Sequence, residues 1–447
     1  MANPVCFTSP PSGITCPTNP APLYPANPAP AYNYYSSGNL FLQGTTGPYC
    51  TSSPNNVTPS NPSSALPSYP TPLQGEFLPN CPFIAALQSL AWVNRNFIIS
   101  NITGPNSGPG NYSVTFWNYP NTSYSNFSQQ VSLSQNVGGS QINSGWGNPV
   151  STTVVVNGTI ALNGSNQMVD PKTNMSYGAG SRNSNEIWPA LYEKAYAKFI
   201  LYQYGAISAS QLQSTSADPL FCQVCCLTSV QWGGNAGIAL AYLTGLPCYS
   251  YSTASSSFSP MGNLNCSAQG NIYNYIKTGF CNQMVDVYGV KKTMYPLVAW
   301  TYPSESASPA GLYSASNPSG IQYSSSSILP NHCYPILGIF EPTISGSTAH
   351  YIVLGTTFGQ PNPSPNVPVN NYINIVQNGN SQNNNNFSAW SCYDALFQLG
   401  TGVNNCFYPL GQHPKNISTP LSNGIFGLEG MTTFQKYFQS IAWAQGF

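Results

Sequence analysis

Charge is what this chain has least of. Ten Lys/Arg and ten Asp/Glu in 447 residues make 4% of the sequence, against roughly 25% in ordinary soluble domains. The two signs cancel, so no basic surface exists to displace counterions from a phosphate backbone, and nucleic-acid binding is excluded as a main function. Carboxylates this scattered form no oxygen-rich loop of the kind calcium needs. No run of 18 apolar residues occurs, so no membrane span is expected. No apolar signal segment follows Met1; an exported chain would be numbered from its mature form or leave by another route. Histidine is also scarce, at three, which makes each one informative.

What is present is apolar and neutral-polar. Hydrophobic residues make 41% of the chain, enough for a sizeable core in one large domain or two to three smaller ones. Solubility rests on Asn, Ser, Thr, Gln and Tyr instead of ionised groups, which is compatible with acidic surroundings. The thirteen cysteines leave twelve once Cys81 is set aside, a number that can pair fully. Disulfides persist in oxidising compartments, so the count favours an extracellular or cell-surface chain with one free thiol. Cys222, Cys225 and Cys226, with Cys248, Cys266 and Cys281 downstream, offer a zinc alternative, but their spacing lacks a repeated CxxC. Eleven Asn-x-Ser/Thr sequons, Asn101, Asn157, Asn265 and Asn416 among them, permit glycosylation; chance gives about as many in so polar a composition.

Residues 1–72 are rich in Pro, Ser, Asn and Tyr and read as an extended, polyproline-like arm without a core. Cys6, Cys16 and Cys50 suggest that it is pinned to something, as a cover over the body or as a contact to a neighbouring molecule. From Pro82 to Phe97 the apolar residues recur at three- and four-residue intervals, which predicts a buried helix. Val114–Phe116 and Val154–Val156 read as hairpin strands. A second helix is expected from Trp188 to Phe199 with Pro near its first turn, a third near Ala236–Leu243, and a C-terminal one near Thr433–Trp443. The region 295–447 is otherwise strand-rich.

Two segments carry chemistry. Cys81 directly precedes Pro82 at the start of the first predicted helix, where unpaired N–H groups and the macrodipole favour a thiolate; an ordinary buried cysteine would sit there equally well. His332 opens a strand-like run, His332–Phe340, and a second run, His350–Phe358, follows a short loop. A symmetric hairpin would set His332 opposite Phe358 and Tyr334 opposite Thr356, gathering His332, Thr356 and Phe358 on one face. Such a setting orients an imidazole for base catalysis; a histidine merely satisfied in a sheet is the plain alternative. His350 falls at the turn end and reads as structural, and His413 lies in a polar loop.

The run Asn185-Glu186-Ile187-Trp188-Pro189-Ala190-Leu191-Tyr192-Glu193-Lys194-Ala195-Tyr196-Ala197-Lys198 resembles the E-x-W-x-A-L-x-E-K-A-Y-A-K helix of calpain catalytic domains. Cys81 with Phe83-Ile84-Ala85-Ala86-Leu87-Gln88-Ser89-Leu90 resembles the segment around the calpain nucleophile, and His332-Cys333-Tyr334-Pro335-Ile336-Leu337-Gly338 resembles His-Ala-Tyr-x-Val-x-Gly. The three segments keep the family's order and span about 72–360. The resemblance implies an α+β, papain-like two-lobed fold in residues 73–447, with a helical Cys lobe over about 73–290 and a β-rich His lobe over about 291–447. It also implies peptide hydrolysis without a cofactor, with Cys81 as nucleophile, His332 as base, Gln74 as oxyanion donor and a peptide or protein as substrate. Gln74 stands seven residues before Cys81, where the family has six. Thr356 stands where the family has the His-orienting Asn, with Gln360 or Asn362 as possible substitutes.

The expected function is therefore a secreted cysteine endopeptidase. A second class competes: a non-catalytic structural or surface-assembly protein of a filament, lattice or virion, built on the same fold and self-associating through the arm. A sugar-binding surface, suggested only by 30 Tyr and 8 Trp, ranks third, because such aromatics usually serve cores and interfaces.

Overall fold

The computed structural model describes residues 72–75, 80–105, 110–121, 140–160, 178–181, 187–203, 205–219, 236–254, 271–282, most of 290–357, and 425–447. The arm, Cys222, Cys225, Cys226 and Cys266, Phe358, Gln360, Asn362 and His413 lie outside them.

A two-residue strand β1 (Pro72–Leu73) leads to helix α1 (Cys81–Val93). Pro82 opens α1, where its missing N–H costs least, and Phe83–Ala91 is buried all round, polar Gln88 and Ser89 included. A helix apolar on every side belongs in a core. It stops at Asn94, whose side chain accepts from Phe97 N at 3.1 Å and so caps α2 (Arg95–Ser100). Strands β2 (Ile102–Thr103), β3 (Asn111–Asn118) and β5 (Val150–Asn157) form an antiparallel sheet; β4 (Ser140–Gln141) lies between β3 and β5 in sequence. Val114 pairs with Val154, as expected of hairpin strands. Tyr112, Val114 and Phe116 alternate inward.

Strand β6 (Gly180–Ser181) pairs with β1, and α3 (Trp188–Gln203) follows, buried from Trp188 to Leu201. Tyr196 of α3 stacks on Phe83 of α1 with centroids 4.1 Å apart and planes 8° from parallel. Helix α4 (Ala236–Thr244) completes this first core.

The second core belongs to an eight-stranded sheet. Its strands are β7 (Cys248–Ser252), β8 (Val290–Lys292), β9 (Leu297–Thr301), β10 (Cys333–Phe340), β13 (Tyr351–Gly355), β14 (Ile425–Glu429), β15 (Phe438–Ala444) and β4, in the order β14-β13-β10-β9-β15-β7-β4, with β8 also on β10. A small ribbon, β11 (Thr343–Ile344) with β12 (Ser347–Thr348), extends the β10–β13 turn. Helix α5 (Ile272–Gly279) packs into this second core. Helix α1 covers β10 and β9, and every residue of β9, β10 and β13 is buried. The α+β class is thus as expected. Among the described residues no helix is long and apolar enough to cross a membrane.

Two expectations need correction. The C-terminal helix is only one turn, α6 (Phe434–Tyr437), before the chain becomes β15, flanked by β9 and β7. A short apolar run fits a buried helix or a central strand equally, and here tertiary pairing decides. Second, Cys248, Cys281 and Cys333 are buried and form no disulfide, so these three of the twelve cysteines expected in disulfides depart from that expectation.

Candidate active site

The N-terminus of α1 meets the start of β10, bringing together Cys81, His332 and Cys333. The backbone of His332 is clamped by the end of β9: His332 N donates to Thr301 Oγ1 and Thr301 N donates to His332 O, both at 2.9 Å. Asn331, just before it, takes a left-handed φ of 50°, a conformation asparagine tolerates better than most residues. The imidazole meets the edge of Tyr334, with centroids 5.0 Å apart. The Tyr334 hydroxyl accepts from Leu329 N at 2.8 Å.

The hydroxyl on the imidazole is that of Thr357, one residue past the expected Thr356. Thr357 Oγ1 lies 2.9 Å from His332 Nε2 and donates to Gln74 Oε1 at 2.6 Å. The end of strand β13, rather than its register, explains the displacement. The expected pairing continues to Ile336↔Leu354, which is observed, but beyond a bulge the partners shift to Gly338↔Val353. The strand then ends at Gly355, so two-residue alternation does not govern 356 and 357. The carbonyl of bulge residue Leu337 is satisfied by Trp92 Nε1 at 2.6 Å and by Thr293 N at 3.1 Å. Thr356 contributes its carbonyl, which accepts from Gln88 Nε2 at 3.1 Å; the same nitrogen donates to Pro72 O at 2.6 Å. Gln88 is seven residues, two helical turns, beyond Cys81 and so lies on the same face of α1.

Gln74 reaches the site despite its shifted spacing. Its N–H donates to Thr357 O at 2.7 Å while its side-chain oxygen holds the Thr357 hydroxyl. Because that hydroxyl has one proton and gives it to Gln74, it accepts from His332 Nε2–H. The tautomer is thereby set, with Nδ1 left to serve the thiol. Gln74, Cys81, His332 and Thr357 are all buried.

Burial alone opposes ionisation of Cys81. A hydrogen bond from the Cys333 thiol and the adjacent His332 imidazole outweigh it and hold the Cys81 pKa well below the usual thiol value. Cys333 moves the other way, raised well above that value by burial and by its bond to Cys81. Cys248 and Cys281 are likewise raised, chiefly by burial. Of the four described cysteines only Cys81 is poised as a nucleophile. Its backbone N–H has no acceptor among the described residues.

A further shell is not apparent from sequence. Asn80, the residue before Cys81, makes no side-chain cap on α1; its Nδ2 donates to Glu193 Oε1 of α3 at 2.6 Å. Glu193 Oε2 accepts from Ala179 N at 2.7 Å. Glu193 is 2% exposed, and burial raises its pKa to about 7, the bonds from Ala179 and Asn80 offsetting part of the rise. The one legible signal is a glutamate inside a helix buried along nearly its whole length; its partner, 113 residues away in sequence, leaves no local trace. Comparison with protein-family models and with curated proteins finds no match to the chain.

Proposed function

We propose that this chain is a cysteine endopeptidase of the calpain-like, papain-fold kind. The Cys81 thiolate attacks the scissile carbonyl, His332 protonates the leaving amine, and water, deprotonated by His332, hydrolyses the thioester. The Cys81 N–H faces the oxyanion. Gln74 Oε1 is committed to Thr357, so only its amide nitrogen can assist. The observation that carries the reading is the relay Gln74–Thr357–His332–Cys81, in which Thr357 does the orienting work of an asparagine. The four buried thiols fit a reducing compartment as well as an oxidising one, so the reading does not depend on an extracellular or cell-surface setting.

Iodoacetamide followed by peptide mapping should label Cys81 ahead of Cys248, Cys281 and Cys333, and Cys81→Ser should abolish casein cleavage without changing the melting temperature. A Cys81 no more reactive than the other three would sink the proposal. Thr357→Val should lower kcat by about 10–100-fold, in the range of general acid–base contributions.

One observation favours the rival reading, a structural or surface-assembly protein on a peptidase fold: Cys81 is only 7% and His332 5% exposed. Ordered assemblies that vanish on deleting residues 1–70, from a protein that cleaves no peptide, would establish it instead.

A further inference from the structure

Glu193 is a buried carboxylate that no cation meets among the described residues. Its helix neighbours Lys194 and Lys198 both turn to Asp218, at 3.4 and 2.8 Å. An isolated buried charge is costly, so its two bonds need a reason. One runs to the side chain of Asn80, whose own backbone carbonyl receives Phe83 N and Ile84 N at the start of α1. The other runs to Ala179 N, adjoining β6. Strand β6 pairs with β1 through Pro72↔Ser181 and Leu73↔Gly180, and β1 leads directly into Gln74. One carboxylate thus holds both the segment that presents Cys81 and the ribbon that presents Gln74. A second observation marks the same place. Asn80 is 1% exposed, yet its Oδ1 has no hydrogen-bond partner, although an asparagine before a helix ordinarily caps it. The side chain has been taken from capping and given to Glu193.

We infer that Glu193 is a positioning residue for the nucleophile: by bonding Asn80 and Ala179 N at once, it fixes the distance between Cys81 and the Gln74–Thr357–His332 relay. The inference rests on Cys81 being the reactive thiol of the proposed peptidase. Glutamine can keep both contacts, its oxygen accepting from Ala179 N and its amide nitrogen donating to a rotated Asn80 Oδ1. Alanine keeps neither.

The test is the second-order rate of Cys81 alkylation by iodoacetamide, with kcat and KM on a fluorogenic peptide, for the full chain and for Glu193→Ala, Glu193→Gln and Asn80→Ala below their melting transitions. Glu193→Ala and Asn80→Ala should slow alkylation and kcat at least tenfold with KM within twofold. Glu193→Gln should stay within threefold of the parent. If Glu193→Ala does not fold, Asn80→Ala, which leaves the carboxyl in place, decides alone. Folded variants that alkylate within threefold of the parent overturn the inference, and so does a glutamine variant as slow as the alanine one. The expected alkylation pattern in a chain that cleaves no peptide would sustain the positioning role and reject the peptidase.

Discussion

On α3, Lys194 and Lys198 both reach Asp218, and Glu193 is left to two neutral donors. In the second core Glu341 gathers Lys277 at 2.6 Å, Lys291 at 3.4 Å, Tyr273 OH at 2.9 Å and His350 Nδ1 at 3.3 Å. Burial disfavours ionisation at both glutamates. At Glu341 the hydrogen bonds and charges of Lys277, Tyr273 and Lys291 outweigh it and bring the pKa down to about 2, whereas at Glu193 it prevails and the pKa rises to about 7. The two sites teach how so uncharged a chain uses its few ionisable groups. At Glu341 the carboxylate receives cations. At Glu193, which bonds the residue before Cys81, the carboxylate is left with neutral donors alone, at the expense of stability.

The largest effect should come from making a paired site resemble the unpaired one. Lys198 is fully buried, donating to Asp218 Oδ1 and to the carbonyls of Val155 and Ser214. Lys198→Met removes that cation and leaves Asp218 with Lys194, whose pKa burial already lowers. Breaking a buried pair from one side costs about 3–5 kcal/mol. Urea denaturation should show a loss in that range, and a loss below about 1 kcal/mol would mean that Asp218 does not need its cations.

Helices α1 and α3 and the candidate pair Cys81 and His332 are all legible in the amino-acid sequence. Helix α1 announces itself through Phe83, Ile84, Leu87 and Leu90, and α3 through a run of mixed residues; both form where expected. Thr357 is hidden because β13 ends at Gly355, and alternation carried past that end lands on Thr356. Cysteine parity misleads because burial, not pairing, accounts for Cys248, Cys281 and Cys333. The C-terminal segment invites misreading because Phe438–Ala444 is apolar at nearly every position, a pattern that a central strand shares with a buried helix. The Glu193–Asn80 bond joins residues that no local rule connects.

The remaining contrast is one of sign. Glu193 has a folded-state pKa raised above the ordinary 4.5, so the folded chain binds that proton more tightly than the unfolded chain does. Its contribution favours folding below about pH 4.5 and is lost as pH rises through 7, by roughly 3 kcal/mol in all. Glutamine carries no proton to lose, so Glu193→Gln should be more stable than the parent above pH 7 and should flatten stability between pH 4.5 and 7. Glu341 runs the other way. With its folded pKa depressed to about 2, it stabilises above pH 4.5 and loses that contribution as pH falls towards 2. Lys277 is 27% and His350 36% exposed, so solvent screens the cluster and Glu341→Gln should cost on the order of 1 kcal/mol near neutrality, shrinking towards nothing at pH 2. Thermal melts of both variants against the parent from pH 2 to 8 should give differences of opposite sign at pH 8, the larger at Glu193. If both variants lose stability at pH 8, Glu193 is held by a cation after all, and the distinction between a carboxylate paired with cations and one left to neutral donors behind Cys81 collapses.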